Sequence, residues 1–157
     1  MSHDVRVARL VDASPEEVFD AFTNPDGQEA FYGQDDPGWI VRSQCDMRVG
    51  GAWTVDFGPS PRELYRHRHV FKVIDRPRRL LTSTTETRLD GSTLRFETEF
   101  RFQARGEKTL MTMTQRGLPT AQLREEHRRG VPNALARLER LIRLSRNVTE
   151  AQHDPTR

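Results

Sequence analysis

Thr93-Leu94-Arg95-Phe96-Glu97-Thr98-Glu99-Phe100-Arg101-Phe102-Gln103 is the segment that decides the fold. Leu94, Phe96, Thr98, Phe100 and Phe102 share one parity, while Arg95, Glu97, Glu99 and Arg101 share the other. Successive side chains of a strand point to opposite faces, so this is a half-buried strand with an aromatic face and a charged face. Water covers the charged face. The aromatic face needs a partner, and that need organises the rest of the chain.

Strand-like segments lie on both sides of it. Trp39, Val41, Ser43 and Cys45 share a face, as do Trp53, Val55 and Phe57. Glu63 to Asp75 reads as a long strand, Leu80 to Thr87 as the next, and Leu110 to Arg116 as the last. Gly50-Gly51, the loop Gly58-Pro59-Ser60-Pro61, Pro77, Asp90-Gly91 and Gly106 separate them, and Gly117 and Pro119 close the series. Strands joined by such short turns form an antiparallel meander. Asp4 to Ala13 is a further strand, with Val5, Val7, Arg9 and Val11 on one side. Behind it stands a helix start: Ser14 as N-cap, Pro15 in the first turn and Glu17 completing a capping box. Val18, Phe19 and Phe22 give that short helix its apolar face. Asn24-Pro25-Asp26-Gly27 interrupts it, Gln28 to Tyr32 makes a second helical turn, and a loop runs through Asp35-Asp36-Pro37-Gly38.

The cover for the aromatic face comes from the C-terminus. Ala134, Leu135, Leu138, Leu141 and Ile142 recur at three- and four-residue steps, with Arg137, Arg140 and Arg143 between them. Glu139 and Arg143 form a helix-supporting pair four residues apart. Pro132 either kinks a helix that begins near Thr120 or starts a new one. The expected fold is α+β: a curved antiparallel sheet of about seven strands, with two short helices after the first strand, wrapped on a long C-terminal helix. Residues 1–147 form the one domain and 148–157 a flexible tail.

Composition narrows the function classes. Basic and acidic residues nearly balance, 25 against 23, so the charge gives no pointer to nucleic acid, and none is expected as a partner. The runs Arg62 to His69 and Arg124 to Arg146 read as solvated faces. Cys45 is the single cysteine, so no intrachain disulfide forms, and it reads as a small buried hydrophobe. Met1 to Leu10 lacks an apolar signal core and no stretch is apolar for the length of a membrane span, so the expected location is the cytoplasm.

The long middle strand carries the sharpest chemistry. Tyr65, His67, His69, Phe71 and Val73 share the inward parity, while Arg66, Arg68 and Lys72 point to solvent. Two imidazoles and a phenol then face any cavity under the helix, where they orient a ligand's polar group or move a proton. Trp39, Trp53, Phe96, Phe100, Met111 and Met113 supply an apolar wall, Thr98 and Gln115 polar contacts within it. His127, beside Glu126 on the final helix, reaches the cavity mouth. The candidate ligand-binding set is therefore Trp39, Trp53, Tyr65, His67, His69, Phe71, Phe96, Thr98, Met113, Gln115 and His127. His67 and His69, two apart on a strand, could also chelate a metal with His127 as a distant third ligand, but no carboxylate or cysteine joins them at ligand spacing and no metal is assigned. Neither a nucleophile triad nor a phosphate-cradling glycine loop is present, and no catalytic residue or cofactor is assigned.

Three strings, Ala13-Ser14-Pro15-Glu16-Glu17-Val18-Phe19, Asp46-Met47-Arg48-Val49-Gly50-Gly51-Ala52-Trp53 and Asp75-Arg76-Pro77-Arg78-Arg79-Leu80, taken in this order, resemble the Hsp90-ATPase-activator-homologue-like branch of the START/Bet v 1 superfamily. The resemblance spans about residues 5 to 145 and implies a helix-grip fold with a deep cavity. The chain departs from the family pattern at Phe31-Tyr32, where relatives carry Trp, at His69, where they carry Gly, and at Gly130-Val131, where they carry Gly-Trp. The superfamily includes lipid and hormone binders, polyketide cyclases and co-chaperone domains. The leading expectation is a protein that binds a small apolar molecule (a lipid, polyketide or aromatic metabolite). An enzyme of the cyclase or dehydratase type, using Tyr65, His67 or His69, is the alternative. A co-chaperone or regulatory interaction module ranks third, and a homodimer stays open.

Overall fold

The computed structural model describes residues 3–33 and 38–152. Among these, the chain forms β1 (His3–Val11), α1 (Pro15–Phe22), α2 (Pro25–Tyr32), β2 (Ile40–Cys45), β3 (Ala52–Ser60), β4 (Glu63–Asp75), β5 (Arg79–Thr87), β6 (Thr93–Arg105), β7 (Lys108–Leu118) and α3 (Ala121–Gln152). This is the expected α+β order. The strands make one antiparallel sheet in the order β1-β7-β6-β5-β4-β3-β2, so β2 to β7 run as a meander and β1 joins at β7. None of the described helices is long and apolar enough to cross a membrane.

Local chemistry accounts for the helix starts. Ser14 caps α1 through the Glu17 amide while the Glu17 carboxylate accepts from the Ser14 amide. The second helix begins three residues earlier than the sequence suggests. Asn24 is its N-cap, accepting from the Asp26 amide, and Pro25 fills the first turn, where a missing N–H costs nothing. Gly27 is there for closeness rather than for a break: a Cβ on it would lie 1.8 Å from the Ala21 carbonyl oxygen of α1. Residues 35–37 of the expected loop lie outside the described residues.

The third strand continues through Gly58-Pro59 to Ser60, where a loop was expected. The register shifts there, between Phe57 and Ser60. A second shift, between Phe71 and Val73, reverses the parity of β4. Ile74, opposite Leu80, therefore joins the core in place of Val73. The last helix runs through Pro132, so no new helix starts at that residue, and it extends past Asn147 to Gln152. Residues 153–157 lie outside the description.

The core lies between the concave sheet face and α3. Val131, Ala134, Leu135, Leu138 and Ile142 of the helix join one apolar cluster with Phe19 and Phe22 of α1 and Phe71, Phe100, Phe102, Met111 and Met113 of the sheet. Glu139 sits within this interface, buried. Its chief partners are Arg9 of β1 and the Asp12 amide, with Arg143 at 3.5 Å, so it ties the helix to the first strand. On the convex face Glu99 lies beneath Arg79, Arg101 and Arg116.

Candidate functional site

A partly open cavity of about 730 Å³ lies between the sheet and the N-terminal half of α3. Phe31 and Tyr32 of α2, Phe57 of β3, Phe100 of β6 and Val131 and Ala134 of α3 are among its walls. Trp39, Tyr65, His67, His69, Thr98, Met113, Gln115 and His127 also line it. Trp39 is held there by its indole N–H, which donates to the Tyr32 carbonyl at 3.1 Å. Three expected contacts are displaced from the wall. Trp53 lies behind His69, its ring stacked on the imidazole at 4.3 Å. Phe71 belongs to the apolar core farther along β4. Phe96 packs edge-on against His127 and His67 and closes a small cluster with Val5 and Leu118. All three have the inward parity the sequence indicates, but each is covered by another side chain.

The cavity floor is a connected polar network. Tyr32 Oη lies 2.8 Å from His67 Nδ1 and 2.9 Å from His69 Nε2. His67 Nε2 meets Glu86 Oε1 at 2.6 Å, and His127 Nε2 lies 3.1 Å from the same oxygen. The other Glu86 oxygen accepts from Arg88, which also reaches Glu126 on α3. His127 Nδ1 is 2.7 Å from Gln115 Oε1. On the far side His69 Nδ1 faces the Thr82 and Thr84 hydroxyls, and Thr84 continues to Thr98. Six elements thus meet: α2, β4, β5, β6, β7 and α3.

Burial sets the protonation of these groups. It pushes the His69 imidazole well below its ordinary pKa, helped by neighbouring His67. His67 is also lowered by burial, more strongly than its bond to Glu86 raises it. The Tyr32 phenol is driven up by burial and then by the Glu86 charge. For Glu86, burial favours the neutral acid, but the bonds from His127 and His67 outweigh it and hold the carboxyl well below the usual range. With both imidazoles neutral, the phenol protonated and the carboxylate ionised, one proton order satisfies the chain. A threonine hydroxyl donates to His69 Nδ1, His69 Nε2–H to Tyr32, Tyr32 O–H to His67 Nδ1, and His67 Nε2–H to Glu86. Such a directional chain ending on a carboxylate can hold a polar ligand group or relay a proton.

Two central groups, Glu86 and Tyr32, fall outside the set expected from sequence. Glu86 had a signal. In Leu80-Leu81-Thr82-Ser83-Thr84-Thr85-Glu86 the parity of core residue Leu80 carries Thr82, Thr84 and Glu86 inward, and all four are buried. Tyr32 marks a departure from the family pattern, and so does His69. The structure places these two departures in contact, which alternation alone does not show. Cys45 is half-buried rather than buried, with burial raising its thiol pKa. Among the described residues no group of three His, Cys, Asp or Glu side chains is arranged to hold a metal.

Comparison with known proteins places this architecture. The family described as Activator of Hsp90 ATPase homolog 1-like protein matches residues 12–143. Among solved structures, a protein from Chromobacterium violaceum superposes with a TM-score of 0.76 at 20% identity, over 88% of this chain and 96% of that one. A protein from Rhizobium loti gives 0.70 at 24% identity, over 88% and 97%. A protein of the dynemicin biosynthetic locus gives 0.70 at 20% identity, over 89% of this chain and 47% of that one. At these identities the likenesses speak to fold. Among proteins of curated function, none matches the chain. With the family match spanning most of the sequence and the helix-grip architecture in place, the chain belongs to the Activator of Hsp90 ATPase homolog 1-like family.

Proposed function

We propose that this protein binds a small, largely apolar molecule that carries a polar group, with its apolar body under α3 and its polar group on the His67–Glu86–His127 floor. The observation that carries this reading is the cavity itself. Its volume of about 730 Å³ falls in the range of small-molecule sites, and it combines aromatic walls with a few convergent polar groups. In this reading Trp39, Tyr65 and Met113 contact the apolar body. His67, His69, Thr98, Gln115 and His127 position the polar end. Trp53, Phe71 and Phe96 act from behind, by fixing those side chains. A neighbour of the same fold from a biosynthetic locus is compatible with a small-molecule role. Native mass spectrometry of protein purified from its host, with fluorescence titration by 8-anilinonaphthalene-1-sulfonate, tests it. A retained species or saturable dye uptake displaced by apolar compounds is expected. Neither species nor uptake would remove the reading.

The directional hydrogen-bond chain favours a second reading, a cyclase- or dehydratase-type enzyme. An ionised, buried carboxylate linked through His67 and Tyr32 to His69 is suited to receive and return a proton during carbon–carbon bond formation or loss of water. Incubation with host metabolite extract, followed by mass spectrometry, should show a change that the double variant His67→Gln/His69→Gln abolishes. Identical profiles for the two proteins would leave binding as the whole function.

A further inference from the structure

We propose that Gln115 forms, beside His127, a subsite for a hydrogen-bond-accepting oxygen, so that the cavity selects apolar molecules bearing a ketone over hydrocarbons of the same shape. The proposal rests on the small-molecule reading above and names the chemistry of the group that meets the floor.

The polar groups around the cavity divide into those already satisfied and one that is not. On the floor, His67 is engaged by Tyr32 and Glu86, and His69 by Tyr32 and the threonines. The Glu86 oxygens are taken by the imidazoles and Arg88, and the Thr98 hydroxyl by Thr84. Gln115 differs. It is 5% exposed, points inward from β7 opposite Thr98 of β6, and lines the cavity. Its Oε1 meets His127 Nδ1 at 2.7 Å, which orients the carboxamide. Among the described residues Nε2 has no acceptor. It is also not sealed in, because among those residues no fully buried side-chain nitrogen or oxygen lacks a partner. The amide N–H bonds therefore open onto the cavity.

An amide nitrogen donates and does not accept. A ligand carbonyl satisfies it. A hydrocarbon seated against it leaves it without a partner, and leaving a buried donor unmade costs more than a formed bond gains. The partner groups are fixed before binding: His127 by Gln115 and Glu86, and Glu86 by Arg88. The donor is thus held in one direction rather than free to follow the ligand. The subsite requires the amide orientation in which Oε1 faces His127 Nδ1. Were the carboxamide reversed, an oxygen would face the cavity, and the subsite would prefer hydroxyl donors.

The test uses two shape-matched probes, 2-acetylnaphthalene and 2-isopropenylnaphthalene, which differ by C=O against C=CH₂, with 2-naphthalenemethanol as a donor. Dissociation constants are measured on the full chain and on Gln115→Met. The ketone should bind the native protein about three- to tenfold more tightly than the alkene. In Gln115→Met that ratio should collapse, chiefly because the alkene, which no longer leaves a donor unmade, binds more tightly than to the native protein. Equal ratios in the two proteins, or an alcohol preferred over the ketone, would overturn the subsite. Absence of binding by all three probes would overturn the small-molecule reading beneath it. Should Gln115→Met not fold, the infrared carbonyl stretch of acetylnaphthalene bound to the native protein decides. It should fall below its value in hexane, and an unshifted band would count against the subsite.

Discussion

The concave face of the sheet has two ends that obey different rules. At one end Phe22 of α1 contacts Phe31, Trp53, Phe100 and Phe102, and α3 covers this cluster with Val131, Leu135, Leu138 and Ile142. At the other end, on the same strands, His67, His69, Glu86 and Gln115 face inward. There α3 contributes its first ten residues, of which none is buried. The first end is held by packing and the second by hydrogen bonds that balance desolvation. One sheet can thus separate stability from function. The apolar end supplies the burial a domain of this size needs. The polar end, which adds little net stability for its complexity, is free to be shaped around a ligand.

The largest effect should come from the apolar end. Phe22→Ala removes a fully buried ring that meets four other aromatic rings, and should cost about 3–5 kcal/mol in urea unfolding. A loss below about 1 kcal/mol would mean that this end is not the stable one. Glu86→Gln, at the polar end, keeps the shape and removes the charge. It leaves either Arg88, or His67 and His127 together, without an oxygen, and should cost about 1–3 kcal/mol. A larger penalty for Glu86→Gln than for Phe22→Ala would reverse the comparison.

Acid should act on the polar end. His67 and His69 have folded pKa values lowered by burial, so between pH 7 and 5 the unfolded chain binds protons that the folded chain refuses. Stability therefore falls as the pH drops through the ordinary histidine range. Glu86 is also lowered in the fold, against burial, by its bonds from His127 and His67. Its contribution is present above the ordinary glutamate range and is lost as the pH falls further. The two windows have the same sign. Urea midpoints from pH 8 to 4 should decline across both, and His67→Gln/His69→Gln should flatten the upper one. An unchanged upper slope in that variant would show that the imidazoles titrate as they do in the unfolded chain.

The same contrast explains what was legible in the sequence. The apolar end was legible because alternation and helical periodicity are local signals: Leu94 to Phe102 and Ala134 to Ile142 each announce a face, and the two faces meet. Even the imidazoles of β4 followed from parity. The site's centre was less visible, because a buried carboxylate breaks the pattern that parity relies on. Glu86 lies among threonines that suit either face, and Tyr32 reaches the site through the angle between α2 and the sheet, a tertiary quantity. Val73 failed because a bulge shifts the register by one and nothing local marks it. Gly27 was read as a break because glycine's two uses, turning and close approach, look alike in one dimension.

The smallest expected effect concerns α3 itself, which crosses both ends. Its first ten residues contact the sheet side mainly through His127 and Glu126, while Val131 to Ile142 are packed. Between the two stretches lie Gly130, whose added Cβ would meet nothing within 4 Å, and Pro132, which offers no N–H to the Arg128 carbonyl. Gly130→Ala should stiffen the helix by about 0.8–1 kcal/mol. Where that gain is felt tests whether the ends are separable. If the polar end opens without the core, amide exchange across residues 121–130 should slow by about fivefold, the factor that 1 kcal/mol represents, with the urea midpoint unmoved. A midpoint that rises by the full amount, with exchange slowed equally in residues 134–142, would show α3 to be one cooperative unit. The polar end would then open only when the whole fold does.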